Sequence, residues 1–238
     1  ARFFHKKKYF GLLLKNEIDN LEKSLRFPKK PFTAIIGGSK ISGKIDVITS
    51  LLDKVDNLII GGGMAYTFVK AIGGNIGNSL VEEDKIDLAK SIINEAKNKG
   101  VNLLLPIDSV NANDFSNDSN ILSSEITDIQ DGYMGLDIGE ESICLFSETI
   151  ERSKTIIWNG PMGVFEMSNF ENGTKKIGES ICISTKNGAF SLIGGGDSVA
   201  AIKKFGMQKK VSYISTGGGA MLEYLEGKEL PGVKAILG

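Results

Sequence analysis

The chain has 238 residues and a formal net charge of -1, with 41% hydrophobic and 24% charged residues. This length can bury one large core, and the composition is close to the average of soluble globular proteins. The near-zero net charge argues against proteins that bind nucleic acid or an anionic membrane through a strong positive field. We therefore expect neither partner, and no run of about 18 apolar residues predicts a membrane span.

The chain contains two cysteines, Cys144 and Cys182, whose spacing fits neither a zinc site nor a disulfide framework. This pattern favours a reduced, cytoplasmic setting, because disulfides are rare in that compartment. We expect both thiols to be small core residues.

The amino-terminal stretch ARFFHKKKYFGLLLKNE combines basic and apolar residues, as targeting segments do. Its apolar run is too short and lacks a small-residue cleavage site, so we do not interpret it as a targeting segment. Because the sequence starts at Ala1, we expect it to begin partway through a longer protein. Residues 12–25 then show an amphipathic pattern that predicts a helix, and Phe27-Pro28-Lys29-Lys30-Pro31 predicts a break after it.

Short β-branched or aliphatic runs that stop at glycine or proline predict six buried strands. They are residues 32–38, 57–63, 101–108, 155–161, 190–196 and 211–219. Amphipathic patterns predict helices between them, at residues 45–55, 82–99, 170–185 and 198–205. The polar stretch 111–137 predicts loops or a small hairpin excursion. Alternating strands and helices predict an α/β fold, a Rossmann-like three-layer domain with a mainly parallel sheet, and leave the strand order open.

Glycines cluster where the predicted strands end, at Gly37-Gly38, Gly61–Gly63, Gly194–Gly196 and Gly217–Gly219. Glycine at such a turn lets backbone N–H groups face outward and lets a ligand approach without a Cβ in the way. The helix that follows directs its positive end to the same place, which suits a phosphate. The alternative is a set of purely structural turns, and four recurrences at one sheet edge favour an anion site.

The first glycine pair opens the stretch Gly38-Ser39-Lys40-Ile41-Ser42-Gly43-Lys44, which matches the G-x-x-x-x-G-K part of a P-loop. Ile45 follows, where a P-loop has Ser or Thr to bind magnesium, so a standard P-loop NTPase is not expected. Lys40 and Lys44 are candidates to neutralise phosphates as point charges. The alternative is a solvated basic turn.

The stretch Gly196-Asp197-Ser198-Val199-Ala200 resembles a nucleophile elbow, but the only histidine, His5, lies near the amino terminus and cannot follow the serine as a base. Asp197 is better explained as a carboxylate for Mg²⁺ beside phosphates at a helix start. An N-cap is the alternative role, and one carboxylate can serve both.

The most distinctive stretch is Asn159-Gly160-Pro161-Met162-Gly163-Val164-Phe165-Glu166. Trp158, just before it, and Phe165 are candidate core residues. Glu166 follows a strand, where its carboxylate could accept both ribose hydroxyls, although such a residue by itself is more often a surface charge. Asn159 could donate to phosphate oxygens from its side-chain amide.

Together these motifs resemble the carboxyl-terminal, nucleotide-binding domain of phosphoglycerate kinases. The resemblance runs from Gly11 to Gly238 and rests on seven ordered segments. They are IIGGSKISGKIDVI, LIIGGGMAYTF, LLLPIDSV, GYMGLDIG, TIIWNGPMGVFE, SLIGGGDSVAAI and STGGGAMLEYLEGKELPGV. It implies one lobe of a two-lobed kinase, with residues 1–26 as an amino-terminal segment and interdomain-type helix and residues 27–238 as the nucleotide-binding α/β domain.

The resemblance also implies an activity, the reversible transfer of a phosphoryl group between 1,3-bisphosphoglycerate and Mg-ADP, with 3-phosphoglycerate and Mg-ATP as products. Mg²⁺ is the implied metal and ADP or ATP the co-substrate. Such transfer depends on positioning and charge stabilisation more than on covalent chemistry, so the lack of a histidine base is no obstacle.

The resemblance assigns the site residues as follows. Lys40 is implied to contact the transferring phosphoryl group and Lys44 to hold the nucleotide phosphates. Gly62, Gly63 and Gly135 are implied to form the adenine pocket, Glu166 to bind ribose, and Asn159, Gly160 and Met162 to make neighbouring nucleotide contacts. Gly195, Gly196, Asp197 and Ser198 would form the phosphate and metal loop, and Gly217, Gly218 and Gly219 the helix start that faces the phosphates during transfer.

The chain departs from the family in one large respect. Family members have a second, amino-terminal lobe with an arginine-rich site for phosphoglycerate, whereas this sequence has only three arginines, Arg2, Arg26 and Arg152. We therefore expect the chain to bind nucleotide as a monomer but to be poorly active alone, with phosphoglycerate bound by the missing lobe. A non-catalytic nucleotide-binding module is the alternative. A dinucleotide-binding oxidoreductase is disfavoured, because GGSKIS lacks the G-x-G-x-x-G pattern.

Overall fold

The computed structural model describes Tyr9 and residues 11–237, which form eleven strands and nine α-helices. The strands are β1 (Phe32–Ile36), β2 (Asn57–Ile60), β3 (Asn75–Ile76), β4 (Asn102–Leu104), β5 (Asp108–Ala112), β6 (Ile121–Glu125), β7 (Asp128–Ile129), β8 (Met134–Ile138), β9 (Thr155–Asn159), β10 (Phe190–Gly194) and β11 (Tyr213–Ile214). The helices are α1 (Leu12–Leu25), α2 (Ile45–Leu51), α3 (Ala65–Ala71), α4 (Ile86–Asn98), α5 (Glu140–Arg152), α6 (Asn172–Lys186), α7 (Gly196–Lys204), α8 (Gly219–Leu225) and α9 (Pro231–Leu237).

Six strands form one parallel sheet in the order β11-β10-β9-β1-β2-β4. Both faces of the sheet are covered, because alternate residues of each strand enter opposite cores. On β1, Ala34 and Ile36 pack with α1, α2, α3, α4 and α8, while Ile35 packs with α5, α6 and α7. The predicted three-layer α/β fold with a parallel sheet is confirmed.

The predicted elements are confirmed in kind and shift at their ends. The helix predicted at 12–25 has those bounds, whereas the one predicted at 82–99 begins as a 3-10 turn at Glu83–Lys85 and becomes α4. Each predicted strand ends earlier, mostly before its glycines, which enter loops instead. No pattern predicted α3, α5 or α9, whereas the helix start implied at Gly217–Gly219 is present as the start of α8 at Gly219.

The polar stretch from 111 to 137 is more ordered than loops alone. It supplies β6 and β7 and, with the residues on either side, most of an antiparallel sheet of order β6-β5-β8 and a two-stranded β3-β7 pair. The predicted hairpin excursion is therefore present as a small subsheet, which lies over the α3 end of the molecule through Tyr66, Ile76 and Ile129.

The core predictions hold for Trp158 and Phe165, which are buried, but not for both cysteines. Cys144 is exposed and Cys182 is half-buried. The inward stripe of α5 is Ile143, Phe146 and Ile150, and Cys144 lies one residue, about 100°, away from it. The prediction of Cys144 as a core residue was therefore wrong.

Candidate functional site

The carboxyl ends of β1, β9 and β10 surround a cavity of about 380 Å³, here named the first cavity. Three glycine-rich loops and one strand end supply its walls. The loops are Gly37–Lys40 with Gly43 and Lys44, Gly195–Ser198, and Gly218 with Gly219. The strand end is Asn159 with Gly160, and Leu222 completes the lining.

Strand order explains why the first cavity lies here. From β1 the chain continues to β2 and β4 on one side, whereas β9, β10 and β11 add to the other side. Loops after β1 and β9 therefore leave the sheet in opposite directions and open a crevice between them, which is the usual ligand site in open α/β sheets.

Lys44 brings a cation to the first cavity. It is half-buried, and its ammonium group donates a hydrogen bond to the side-chain oxygen of Asn159. Burial lowers the pKa of Lys44, while the negative charge of Asp197 opposes that shift. A partly desolvated lysine interacts more strongly with an anion than one in bulk water.

The side-chain nitrogen of Asn159 faces the same loops. It is buried and has no hydrogen-bond partner in the described part of the chain. Gly195, with φ of 85°, passes so close that a Cβ there would lie 2.9 Å from this nitrogen. Such an unpartnered donor is costly to bury unless an acceptor, such as a ligand oxygen, completes it.

The first turn of α7 adds further donors. It begins at Gly196 without a side-chain cap, and the first amide with a helical acceptor is that of Val199, which donates to Gly195 O at 3.1 Å. The preceding amides have no acceptor within the helix. The buried hydroxyl of Ser198 accepts from Gly160 N–H at 2.5 Å and joins two cavity loops.

Lys40 and Asp197 are both exposed at the first cavity. Glu82 lies near Lys40: burial raises its pKa, but hydrogen bonds from Ser42 and Ile41 and the charge of Lys40 outweigh burial and lower it. Lys40 is thus the exposed cation of the pair, and Lys44 is the half-buried one that is bonded to Asn159.

A second cavity of about 430 Å³ adjoins the first and shares Gly38, Ser39 and Asp197 with it. Its walls are mainly apolar. The predicted residues Gly62, Gly63, Gly135, Met162 and Glu166 all line it, together with Tyr66, Leu80, Phe115, Leu136 and Val164. Glu166 is exposed and places a carboxylate at an apolar slot.

Gly38 and Gly62 do not present their backbone N–H groups as the sequence predicts for glycines at strand ends. The amides of Gly38 and Gly62 do not face outward, because they donate to Pro161 O at 3.0 Å and Met162 O at 3.1 Å. At Gly62, with φ of 67°, an added Cβ would lie 2.6 Å from Gly38 backbone atoms. These glycines permit close backbone packing at the crevice, and the donors without a protein acceptor at the first cavity are those of α7 and Asn159 instead.

Gly217 is the one residue assigned by the resemblance that lines neither cavity, and the strand-end glycines Gly61 and Gly194 do not line them either. The Gly217 amide donates to Ser215 Oγ at 3.1 Å. Sequence patterns also missed several lining residues, including Ser39 between the cavities and Phe115 in the polar stretch. Ser39 lies inside the lysine motif and could have been found there. Phe115 carries no such signal, because only the folded subsheet brings it over the site.

The side chains at the first cavity fit a metal ion that is held mostly by the oxygens of a bound phosphate and by water. In the part of the chain that the structure describes, no three His, Cys, Asp or Glu side chains group closely enough to hold a metal ion. Asp197 alone offers a carboxylate at the first cavity. Mg²⁺ commonly binds in this way, through one or two carboxylates together with phosphate oxygens and water.

Fold and cavities together define a Rossmann-like α/β domain with its ligand crevice at the switch point of a parallel sheet. A family model described as phosphoglycerate kinase matches residues 1–228. The chain belongs to the phosphoglycerate kinase family. Among Tyr9 and residues 11–237, no helix is both long and apolar enough to cross a membrane.

Individual relatives agree with this assignment. A phosphoglycerate kinase of Porphyromonas gingivalis is 56% identical over 231 residues, 97% of this chain and 55% of that protein. The Arabidopsis thaliana protein named phosphoglycerate kinase 3, cytosolic, is 55% identical over 98% of this chain and 58% of its own length. The solved phosphoglycerate kinase of Coxiella burnetii has a TM-score of 0.90 at 42% identity, covering 94% of this chain and 57% of that one. The chain spans about half the length of the curated relatives it matches.

Proposed function

We propose that this chain is the nucleotide-binding lobe of a phosphoglycerate kinase, which transfers a phosphoryl group reversibly between 1,3-bisphosphoglycerate and Mg-ADP to give 3-phosphoglycerate and Mg-ATP. One observation carries the proposal. Two adjoining cavities meet at Gly38, Ser39 and Asp197, one with lysines and uncapped amides and the other apolar with a carboxylate. A nucleotide has this same division between phosphates and nucleoside.

In this proposal the apolar second cavity holds the base between Gly62, Gly63 and Gly135, and Glu166 accepts the ribose hydroxyls. Met162 and Gly160 contact the nucleotide between its two ends. At Gly135 an added Cβ would overlap the hydroxyl of Tyr66, so glycine at this position lets the wall of the cavity pack closely.

The first cavity holds the phosphates. Lys44 and the Asn159 amide bind phosphate oxygens from one side, and the amides of Gly195, Gly196, Asp197 and Ser198 bind them from the start of α7. Lys40, being exposed, follows the transferring phosphoryl group, and the loop Gly217–Gly219 faces it. These groups act by orientation and by stabilising the charge that develops during transfer.

Asp197 is the proposed protein ligand of Mg²⁺, which neutralises phosphate charge when bound. The carboxylate lies on the first turn of α7, next to uncapped amides. It thereby holds negative charge where phosphate oxygens also converge, an arrangement that a cation stabilises.

The phosphoglycerate side of the reaction is proposed to come from an amino-terminal lobe outside this sequence. We propose a monomer for this chain in the cytoplasm, in keeping with the Arabidopsis relative whose name includes cytosolic. Residues 1–26 are proposed as an amino-terminal segment and interdomain-type helix, and residues 27–238 as the nucleotide-binding α/β domain.

Calorimetric titration of the 238-residue chain with Mg-ADP at low salt tests the proposal. We expect saturable one-site binding that requires both ADP and Mg²⁺ for full affinity. Absence of heat or of any displaceable binding would refute it, and binding without any stimulation of transfer by an amino-terminal lobe would favour a non-catalytic nucleotide-binding module.

A further inference from the structure

Asp137 is a buried carboxylate that none of the proposed ligand contacts uses. Its oxygens accept from Gly173 N–H at 2.7 Å and from Ile138 N–H at 2.9 Å. Gly173 is the second residue of α6, so its amide has no acceptor within that helix. Asp137 therefore binds the start of α6 to β8.

Thr174, the next residue of α6, is also buried. Its hydroxyl oxygen accepts from Met162 N–H at 3.0 Å and from Gly163 N–H at 3.3 Å. These two amides belong to the Pro161–Glu166 loop. Thr174 therefore binds the start of α6 to the loop that carries Met162 and Glu166.

The start of α6, β8 and the Pro161–Glu166 loop pack closely against one another. A Cβ at either Gly163 or Gly173 would overlap the carboxyl group of Asp137. The loop also pairs with β8 directly, through Val164 N–H to Leu136 O at 2.8 Å. A shift of the α6 start would consequently move both β8 and the Pro161–Glu166 loop.

Both of these elements form walls of the second cavity, whereas Asp137 and Thr174 do not line it. A third wall is connected as well. The Ser109 hydroxyl donates to Asp137 O at 3.3 Å and lies 2.8 Å from the hydroxyl of Tyr66, which lines the cavity.

We propose that Asp137 and Thr174 are positioning residues that fix the walls of the second cavity and thereby set affinity for the nucleoside part of the nucleotide. The inference rests on the proposed function, because it takes the second cavity as the nucleoside site. It assigns to the α6 start a role that is separate from the phosphate-binding start of α7.

The test compares Asp137→Asn and Thr174→Val with Thr185→Val in the full chain. Asparagine keeps the shape of the aspartate but presents an NH₂ group to a backbone donor, and valine keeps the shape of threonine without its acceptor oxygen. Thr185→Val is the matched control, because Thr185 lies in the last turn of the same helix and bonds to Ile181 O and the Ser191 hydroxyl.

The protonation state of Asp137 decides the pH of the measurements. Burial raises the pKa of Asp137 to about 8; the charges of Glu140 and Glu171 add to this shift, and its two backbone hydrogen bonds oppose it. Since that value is below 8.5, measurements at pH 8.5 keep most of that carboxyl ionised.

Each protein is titrated with Mg-ADP and separately with magnesium pyrophosphate, which has no nucleoside. We expect the two test variants to bind ADP about tenfold more weakly, with pyrophosphate affinity changed less than twofold. Thr185→Val should retain both affinities. Hydrogen exchange without ligand should become faster in the peptide covering residues 160–167 in the test variants only.

Unchanged ADP affinity in Thr174→Val would overturn the inference. This test stands even if the Asp137→Asn protein does not fold. So would an equal loss for ADP and pyrophosphate, which would indicate general destabilisation, or unchanged exchange in residues 160–167. Failure of the unsubstituted chain to bind ADP would instead refute the proposed function.

Discussion

Single residues at this sheet edge act through their burial and hydrogen bonds. Glu17 on α1 is buried, and its carboxylate accepts from Tyr213, from Ser215 and twice from Thr216. Burial by itself would raise the pKa of Glu17, but these hydrogen bonds outweigh it and lower the pKa. Glu17 thus attaches α1 to the segment that leads into the Gly217–Gly219 loop.

The lowered pKa of Glu17 gives a signed stability prediction. A carboxyl whose pKa is lower when folded contributes stability above its unfolded pKa, and that contribution is lost as the pH falls through the folded value. We expect Glu17→Gln to reduce the free energy of unfolding by about 1–3 kcal/mol at pH 7, with a smaller deficit below pH 4. Urea unfolding at both pH values measures it. Asp19→Asn, at an exposed position of α1, should have almost no effect, and an equal deficit at both pH values would contradict the explanation.

Lys44 is the residue on which phosphate binding should depend most. Lys44→Ala removes the half-buried cation beside Asn159 and Asp197. We expect Mg-ADP affinity to fall about 10- to 100-fold, as for lost hydrogen bonds to charged groups, with the fold intact by circular dichroism. Lys90→Ala, at an exposed site on α4, is the control. Equal affinities for the two variants would assign Lys44 to a solvated turn.

At the scale of elements, the turn after β2 packs directly against the turn after β1. The Gly62 amide donates to Met162 O, and Gly38 O accepts from Met64 N–H at 3.0 Å. This contact places the loops after β1, β2 and β9 in one layer, from which both cavities open.

The layer predicts unequal effects of two glycine substitutions. Gly73→Ala introduces a side chain at φ of 93° with no heavy atom within 4 Å, so only backbone strain of about 1 kcal/mol is expected. Gly62→Ala adds a clash with Gly38 and Pro161 and should cost about 1–3 kcal/mol more. Urea unfolding of both variants compares the two costs. A Gly62→Ala protein as stable as Gly73→Ala would show that the loops after β1 and β9 can move away from position 62 at little cost in free energy.

At the scale of the whole molecule, our proposal assigns one set of substrate contacts to this chain. The chain has only three arginines and spans about half the length of its relatives, so our proposal assigns the phosphoglycerate side to another lobe. Phosphoryl transfer requires both substrates to be held in line, so positioning should fail without that lobe.

We expect the chain alone to show transfer activity at least about 100-fold below that of its mixture with a separately produced amino-terminal lobe of a family member, because effective concentration of the second substrate is lost. A coupled assay of ATP formation measures both. The Lys44→Ala chain mixed with the same lobe is the control and should remain poorly active. Full activity of the chain alone, or no gain on mixing, would contradict the two-lobe proposal.

The sequence determined the fold class, the six parallel strands and most of the cavity residues. Alternating apolar runs and glycine-ended strands are local patterns, and residues such as Lys44 and Asp197 lie within them. Tertiary structure alone decided the strand order and the placement of Phe115. It also showed that the Gly38 and Gly62 amides are already bonded to backbone oxygens, whereas the first amides of α7 lack an acceptor within the helix. It also revealed the contacts of Asp137 and Glu17, whose partners lie up to 36 and 199 residues away. Pairings at such separations depend on how elements pack, and no local pattern of residues encodes them.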